Sequence, residues 1–328
     1  MTPPAPAAAW WCPLSDLGLL VFEGADAAAF LQGQLSSDVA ALAPGLGHWT
    51  SYNSPKGRVL ANAWLWRSPP PATDRFQALV AADLAGPIAK RLAMFVLRAK
   101  VGVVDATGAH RLFGIGGGDP AAAAAALGSA PAPRRASSVG RADAELVALP
   151  DGRIVVVAPT DDAERVAAAL AAHAGDAAPA SRWHAADIAA GLPWITAATS
   201  DAFVLQMLNL DALDAVSFQK GCYPGQEVVA RTRYLGRLKE RTFALHADAP
   251  APPAGTRLFS PVFADQPCGT VVGAAPASTG GSDLLAVVQL AAAAAPGLAL
   301  GAPDGPPLAV RTLPYALPEP TAPRGRIG

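Results

Sequence analysis

The chain has 328 residues, 52% of them hydrophobic and 16% charged, with 31 glycines and 32 prolines. So apolar and punctuated a sequence excludes a disordered or coiled-coil protein, and its length suits about two or three domains. A formal net charge of −1 supplies no global positive field, which excludes a general nucleic-acid binder and leaves only a local patch for phosphates.

Leu19-Leu20-Val21-Phe22 reads as a strand, and Ala25 to Leu35, with Phe30, Leu31 and Gln34 at helical spacing, as a helix. Trp49 to Tyr52 and Arg58 to Trp66 are β-rich runs flanking Asn53-Ser54-Pro55-Lys56-Gly57, whose proline and glycine suit a tight hairpin turn. Phe76 to Val80 continues the sheet. Asp83 is expected to cap a helix to about Arg98 with Ile88, Leu92, Phe95 and Val96 on one apolar face. A similar cycle starts at Val101, with strands near 101–104 and 112–115 and an alanine-rich helix from Pro120. Strands at 145–149 and 154–157 and helices from Asp161 to Ala172 and from Arg182 to Ala190 follow. Residues 130–135 read as an exposed loop and 176–181 as a connection. After about Arg241, short β runs broken by proline and glycine predict a small β-barrel or sandwich. The uncharged stretch Leu284 to Ala302 is interrupted by Pro296, Gly297 and Gly301, so strand, turn, strand is expected there and no membrane partner.

Gly114-Ile-Gly-Gly-Gly-Asp119 follows a strand and precedes a helix, as a dinucleotide fingerprint would, but Asp119 stands where a glycine is needed. Asp119 as N-cap with Pro120 at the first helical position accounts for the segment without a ligand. Cys12, Cys222 and Cys268 are odd in number and far apart, which excludes a disulfide framework and a structural zinc site. His48, His110, His173, His184 and His246 are scattered with no metal-ligand spacing, and no GxSxG nucleophile turn occurs. The first basic residue is Lys56, which fits neither a secretory nor a transit segment, so a cytoplasmic protein is expected.

The segment Phe218-Gln-Lys-Gly-Cys-Tyr-Pro-Gly-Gln-Glu-Val-Val-Ala-Arg231 is the most informative. Glycines flank Cys222, and Pro224 suits the first turn of a helix continued by Val228, Val229 and Ala230, which would set Cys222 at a helix N-terminus. There the dipole and Lys220 favour a thiolate; the plainer reading is a small hydrophobe in a glycine-rich turn. Lys220, Tyr223, Gln226, Glu227 and Arg231 would shape the surroundings of a functional thiol. Arg231, Arg233, Arg237, Lys239 and Arg241 form a basic run opposed only by Glu240, either a solvated face or a contact for carboxylates or RNA phosphates.

Lys220-Gly-Cys-Tyr-Pro-Gly-Gln-Glu227 with the following Val-Val-Ala-Arg-Thr-Arg-Tyr-Leu-Gly resembles the signature of the YgfZ family, relatives of the glycine cleavage T-protein. Phe30-Leu-Gln-Gly-Gln34 with Asp38, Ser54-Pro-Lys-Gly-Arg58, Ala190-Gly-Leu-Pro193, Asn209-Leu-Asp-Ala-Leu213 and Leu313-Pro-Tyr315 match in the same order. The resemblance implies an α+β cloverleaf: two α+β lobes and a C-terminal β-barrel around a central channel for tetrahydrofolate. The lobes would span 1–98, completed by part of 181–240, then 99–240, with the barrel at 241–328. It further implies an accessory protein that supports iron–sulfur enzymes or cluster-assembly factors and, through them, tRNA modification, with Cys222 as its functional thiol and no metal of its own. Cofactor-contacting positions carried over are Trp183, Asn62, Arg231, Gln34 and Asn209. A second family tryptophan falls at Leu17, although Trp10 or Trp11 stands nearby in the chain. T-proteins carry two acids after the hairpin turn; here the stretch is Gly57-Arg-Val-Leu-Ala61-Asn62-Ala63, so the alternative, a folate-dependent aminomethyl transferase, lacks its carboxylate. Direct RNA binding through the basic run is the third reading.

Overall fold

The apolar runs pair into three sheets among the described residues of the computed structural model, which cover 8–72, 74–139, 144–234 and 238–318. In chain order the elements are β1 (Trp10–Pro13), β2 (Leu17–Glu23), α1 (Ala27–Gln32), β3 (Gly47–Asn53), β4 (Val59–Arg67), β5 (Arg75–Ala81), α2 (Ala82–Ala93), β6 (Gly102–Asp105) and β7 (His110–Gly116). Next come α3 (Pro120–Ala125), β8 (Ala136–Val139), β9 (Ala144–Ala148), β10 (Ile154–Pro159), α4 (Ala163–Ala174), α5 (Ser181–Ala189) and α6 (Gln226–Tyr234). The last part holds β11 (Glu240–Ala247), β12 (Arg257–Phe259), β13 (Gly269–Pro276), β14 (Ser282–Gln289), the one-turn α7 (Leu290–Ala293), β15 (Ala299–Leu300) and β16 (Leu308–Arg311). None of the helices is long and apolar enough to cross a membrane among the described residues.

The chain divides into two units, one of Met1–Leu31, Val39–His48 and Ala63–Trp183, the other of Gln32–Asp38, Trp49–Asn62 and His184–Gly328. In the first, an antiparallel sheet in the order β1-β7-β10-β9-β8 packs Trp11, Phe113, Ile115, Leu146 and Val156 against Val166 and Leu170 of α4. A second sheet runs β3-β4-β5-β2-β6, and the tip of its β3–β4 hairpin, residues 49–62, belongs to the second unit. Helix α2 buries Leu84, Ile88 and Leu92 but ends at Ala93, where Leu97 soon takes a left-handed φ of 48°. The expected apolar face therefore stops short: Phe95 is 47% exposed, and Asp83 lies in the first turn without capping it.

The glycine run before α3 has a packing explanation. Asp119 caps α3 as expected, its carboxylate accepting from the Ala122 N–H at 3.0 Å with Pro120 following. A Cβ on Gly114 would lie 2.3 Å from the Trp183 ring, and one on Gly116 would lie 2.5 Å from Trp10. These glycines make room for two indoles.

In the second unit the sheet β15-β12-β13-β14-β11-β16 encloses Leu245, Leu258, Val271, Leu284 and Val288. Leu300 N–H donates to Pro306 O at 2.9 Å and Leu308 N–H to Leu298 O at 2.8 Å, so the end strands meet and the sheet curls on itself. A curled half-barrel sheet thus stands where a small β-barrel or sandwich is expected after Arg241; a turn of helix, α7, stands within the stretch read as strand, turn, strand.

On this curled sheet His246 of β11 faces Asp283 of β14, with Nδ1 and Oδ1 2.8 Å apart, and Asp248 stands 3.3 Å from Nε2. The Asp283 hydrogen bond raises the imidazole above its ordinary 6.5, helped by Asp248 and opposed by burial and by Arg311. Its folded pKa exceeds its unfolded one, so its stabilisation is complete below pH 6.5 and is lost as pH rises through the folded value. An NMR titration of His246 is expected to show a midpoint above 6.5, and Asp283→Asn to lower it and to flatten the fall in stability.

Candidate functional site

Lys220 organises the second unit around the cysteine segment. Its side chain is buried, and Nζ donates to Gln32 O at 2.6 Å, Leu35 O at 2.6 Å and Ser37 O at 2.8 Å, one proton for each carbonyl. Burial pushes the ammonium down to about 8, against the nearby Asp38 charge, which raises it, so Lys220 stays a cation at neutral pH. This accounts for the shortness of α1, expected to reach Leu35 but ending at Gln32. Past Gly33 the chain turns its carbonyls to the ammonium instead of continuing the helical ladder. Hydroxyls tie the same loop to β3 and to Ala215: Ser51 Oγ donates to Ser36 Oγ at 2.9 Å, Ser37 Oγ to Thr50 Oγ1 at 2.7 Å, and Ser36 Oγ to Ala215 O at 2.6 Å.

Beyond Lys220 the chain runs through Gly221 and the exposed Cys222 into a turn at Tyr223-Pro-Gly-Gln226. Gly225 has φ of 78°, and Gln226 N–H donates to Tyr223 O at 3.2 Å, while Tyr223 N–H donates to Gln226 Oε1 at 3.3 Å. Helix α6 begins only at Gln226. The expectation that Pro224 opens the helix with Cys222 at its N-terminus is therefore corrected: a positive φ at Gly225 breaks the helical path, and Cys222 sits four residues upstream. Glu227 is exposed in the first turn of α6.

Two glycines lock this turn against the hairpin tip. In Ser54-Pro55-Lys56-Gly57, Gly57 N–H donates to Ser54 O at 2.8 Å, and Gly57 takes φ of 73°. A Cβ on Gly225 would lie 2.6 Å from both Gly57 Cα and Ser54 O, and one on Gly57 would lie 2.7 Å from Val228 Cβ. By contrast, a Cβ on Gly221 would meet nothing within 4 Å. Backbone is pressed on backbone behind the cysteine and space is open beside it.

The other expected site residues divide. Tyr223 is buried, its ring 5.2 Å from Lys220 Nζ; burial pushes its hydroxyl up to about 12, and Oη has no hydrogen-bond partner. Gln34 is half-buried with Oε1 likewise unpartnered. Asn62 is a clamp: Nδ2 donates to Pro193 O at 2.7 Å, and Oδ1 accepts from Ile195 N–H at 2.8 Å. A carboxylate here would have no proton for Pro193 O, so this backbone suits an amide. Asn209, with φ of 55°, is another brace, donating to Thr242 O at 2.8 Å and accepting from Arg241 at 3.3 Å. Arg231 is exposed on α6.

The basic run is not uniformly exposed. Arg241 turns inward to Asp211, with Nη–Oδ distances of 2.7 and 3.0 Å, Arg233 stacks 4.1 Å from the Phe218 ring centroid, and Arg237 lies outside the described residues. Arg231, Arg233 and Lys239 are the exposed cations of the run among the described residues. Of the run, Arg241 is thus taken up by an internal ion pair and is not available to RNA phosphates.

Trp183 lies in the core of the first unit. It is 1% exposed, with the Arg153 guanidinium 4.3 Å above its ring, Trp10 edge-on at 6.4 Å and Gly114 against its six-membered ring. No part of the indole is open to a stacking ligand. Trp10 and Trp11 are buried in the same unit, as is Leu17 on β2.

One residue was passed over in the sequence as a turn-flanking asparagine. Asn53 ends β3 at 1% exposure with neither Oδ1 nor Nδ2 hydrogen-bonded. A buried carboxamide unpaired at both ends costs about 1–3 kcal/mol per group, which makes Asn53 a candidate contact for a bound water or ligand. Among the described residues no group of His, Cys, Asp and Glu could hold a metal ion.

Comparison with known proteins follows the same lines. No family model matches the chain. It is 32% identical over 300 residues to the tRNA-modifying protein YgfZ of Edwardsiella ictaluri, covering 88% of each chain. It is also 33% identical over 248 residues to that of Enterobacter sp., covering 75% of this chain and 74% of the other. Among solved structures, aminomethyltransferase T of the glycine cleavage system from Bartonella henselae superposes with a TM-score of 0.74 over 94% of this chain and 87% of that one, at 17% identity. The fold is thus T-protein-like, and the chain belongs to the YgfZ family.

Proposed function

We propose that this protein binds tetrahydrofolate and supports iron–sulfur enzymes, and through them tRNA modification, with Cys222 as its functional thiol. The observation that carries the thiol's part is the contrast within one octapeptide. Lys220 and Gly225 are locked into the second unit, while Gly221 and Cys222 between them are exposed and unencumbered. Rigid supports holding an exposed thiol suit a group that must meet a partner, since positioning costs no further ordering on contact.

The folate part rests on polar groups of the second unit. A pterin presents a lactam and an amino group that need paired donors and acceptors. The unpartnered Asn53 carboxamide, Gln34 Oε1 and Tyr223 Oη form such a set, in a stretch of chain stitched together by the Lys220 and serine contacts. These residues would hold the pterin, with Arg231 as the exposed cation for its carboxylates. The cloverleaf of two α+β lobes and a barrel, with a channel for the folate, belongs to the same proposal and is supported by the T-protein-like fold. Folate, when bound, would supply one-carbon chemistry. This chain's Asn62, engaged on both sides, leaves the aminomethyl transferase reading without its carboxylate.

The test is Cys222→Ala. Its side chain is exposed, so unfolding and tetrahydrofolate binding are expected to match the parent within about 0.5 kcal/mol. Complementation of a strain lacking the native protein, read as tRNA modification by an iron–sulfur enzyme, is expected to fail. A fully active variant would remove the thiol from the account.

A further inference from the structure

We propose that the second unit carries a separate binding site for small organic oxyanions, a carboxylate or phosphate on an apolar body. The site is a cleft of about 510 Å3, within the usual size of small-molecule pockets, beside the curled sheet. Arg58 and Arg257 line it together with Glu240, and Phe203, Met207 and Val287 contribute apolar wall.

The charges make the case. Arg58 donates through Nη1 to Ala202 O, and Arg257 through Nη1 to Thr270 Oγ1 at 2.7 Å. Both acceptors are neutral, and neither guanidinium has a carboxylate partner among the described residues. Each guanidinium carries five N–H donors, so most of both forks are free for an oxyanion. Two uncompensated arginines converging on one cleft stand out in a chain with only 16% charged residues, where Arg153, Arg165 and Arg241 all pair with aspartates. Glu240, held by Gln289 Nε2, adds a single negative charge and leaves the lining at +1. That balance favours an anion of low charge over a polyanion, and the apolar wall favours one that carries a hydrocarbon or aromatic body.

Methionine supplies the reporter. The chain has three, Met1, Met94 and Met207; Met207 lines the cleft, and Met94 lies in the other unit at 63% exposure. With 13C-methyl methionine, titration with benzoate and with phenyl phosphate is expected to shift Met207 and leave Met94 in place, and the tighter of the two identifies the headgroup. Benzyl alcohol and inorganic phosphate are each expected to bind at least about tenfold more weakly, since each lacks half of the recognition. Arg257→Gln, at an exposed position, should weaken binding about tenfold, and Glu240→Gln should tighten it. A Met207 signal indifferent to both anions, benzyl alcohol equal to benzoate, or affinity unmoved by Arg257→Gln would each overturn the proposal.

Discussion

Lys220→Met is expected to lower the stability of the protein by at least about 3 kcal/mol. The ammonium donates to three carbonyls within 2.8 Å. Hydrogen bonds to a charged donor contribute about 1.5–3 kcal/mol each, and the change leaves three acceptors of the 32–37 loop without a donor. Part of that loss is offset because a buried charge disappears, which is why the figure lies below the simple total. Lys220→Arg sharpens the argument. A planar guanidinium keeps the charge but cannot aim three protons at three carbonyls gathered round one point, so it too should unfold earlier in urea. If Lys220→Arg matched the parent, charge alone would be the requirement, and the three-carbonyl geometry would not be what holds the loop.

The second large effect is expected at Gly225. An alanine there must hold φ near 78°, costing about 1–3 kcal/mol, and must also place its Cβ 2.6 Å from Gly57 Cα and Ser54 O. Neither neighbour is a flexible side chain, so the turn or the hairpin tip has to move. A total of about 3 kcal/mol, with a displaced Cys222, is expected. Gly221→Ala in the same octapeptide is the contrast: nothing lies within 4 Å of the new methyl, and stability should change by less than about 0.5 kcal/mol. If Gly221→Ala nevertheless lowers complementation, the open space beside Cys222 is where a partner approaches. Equal stability losses at the two glycines would contradict the division of the octapeptide into a locked and an open part.

How much of this was legible beforehand depends on whether a signal was local. The 53–57 hairpin turn, the Asp119 cap on α3 and the β-rich C-terminal part follow from turn chemistry and periodicity within a few residues. The ends of α1 and α2 do not, because a lysine about 190 positions away captures the carbonyls after Gln32, while Leu97 turns the chain after α2 by its own backbone conformation. The octapeptide was conspicuous from its glycines, lysine and cysteine, yet its physical division was not: Gly221 and Gly225 look alike on paper and differ only in what surrounds them. Likewise Asn62 and Asn209 are polar residues at family positions whose amides turn out to brace backbone, and Trp183 is an aromatic that turns out to be core. Asn53 escaped notice for the opposite reason. An asparagine beside a turn is ordinary, and only its burial without partners makes it a candidate.

The folate proposal is met most directly by calorimetric titration of the protein with tetrahydrofolate under anaerobic reducing conditions, alongside Asn53→Leu. Leucine is close in size and removes two unpaired polar atoms, so the variant should be at least as stable in urea as the parent. The account predicts that the parent binds tetrahydrofolate and that Asn53→Leu binds it at least about tenfold more weakly, a loss of roughly 1.4 kcal/mol or more. Binding absent from the parent, or equal in a stable Asn53→Leu, would contradict it.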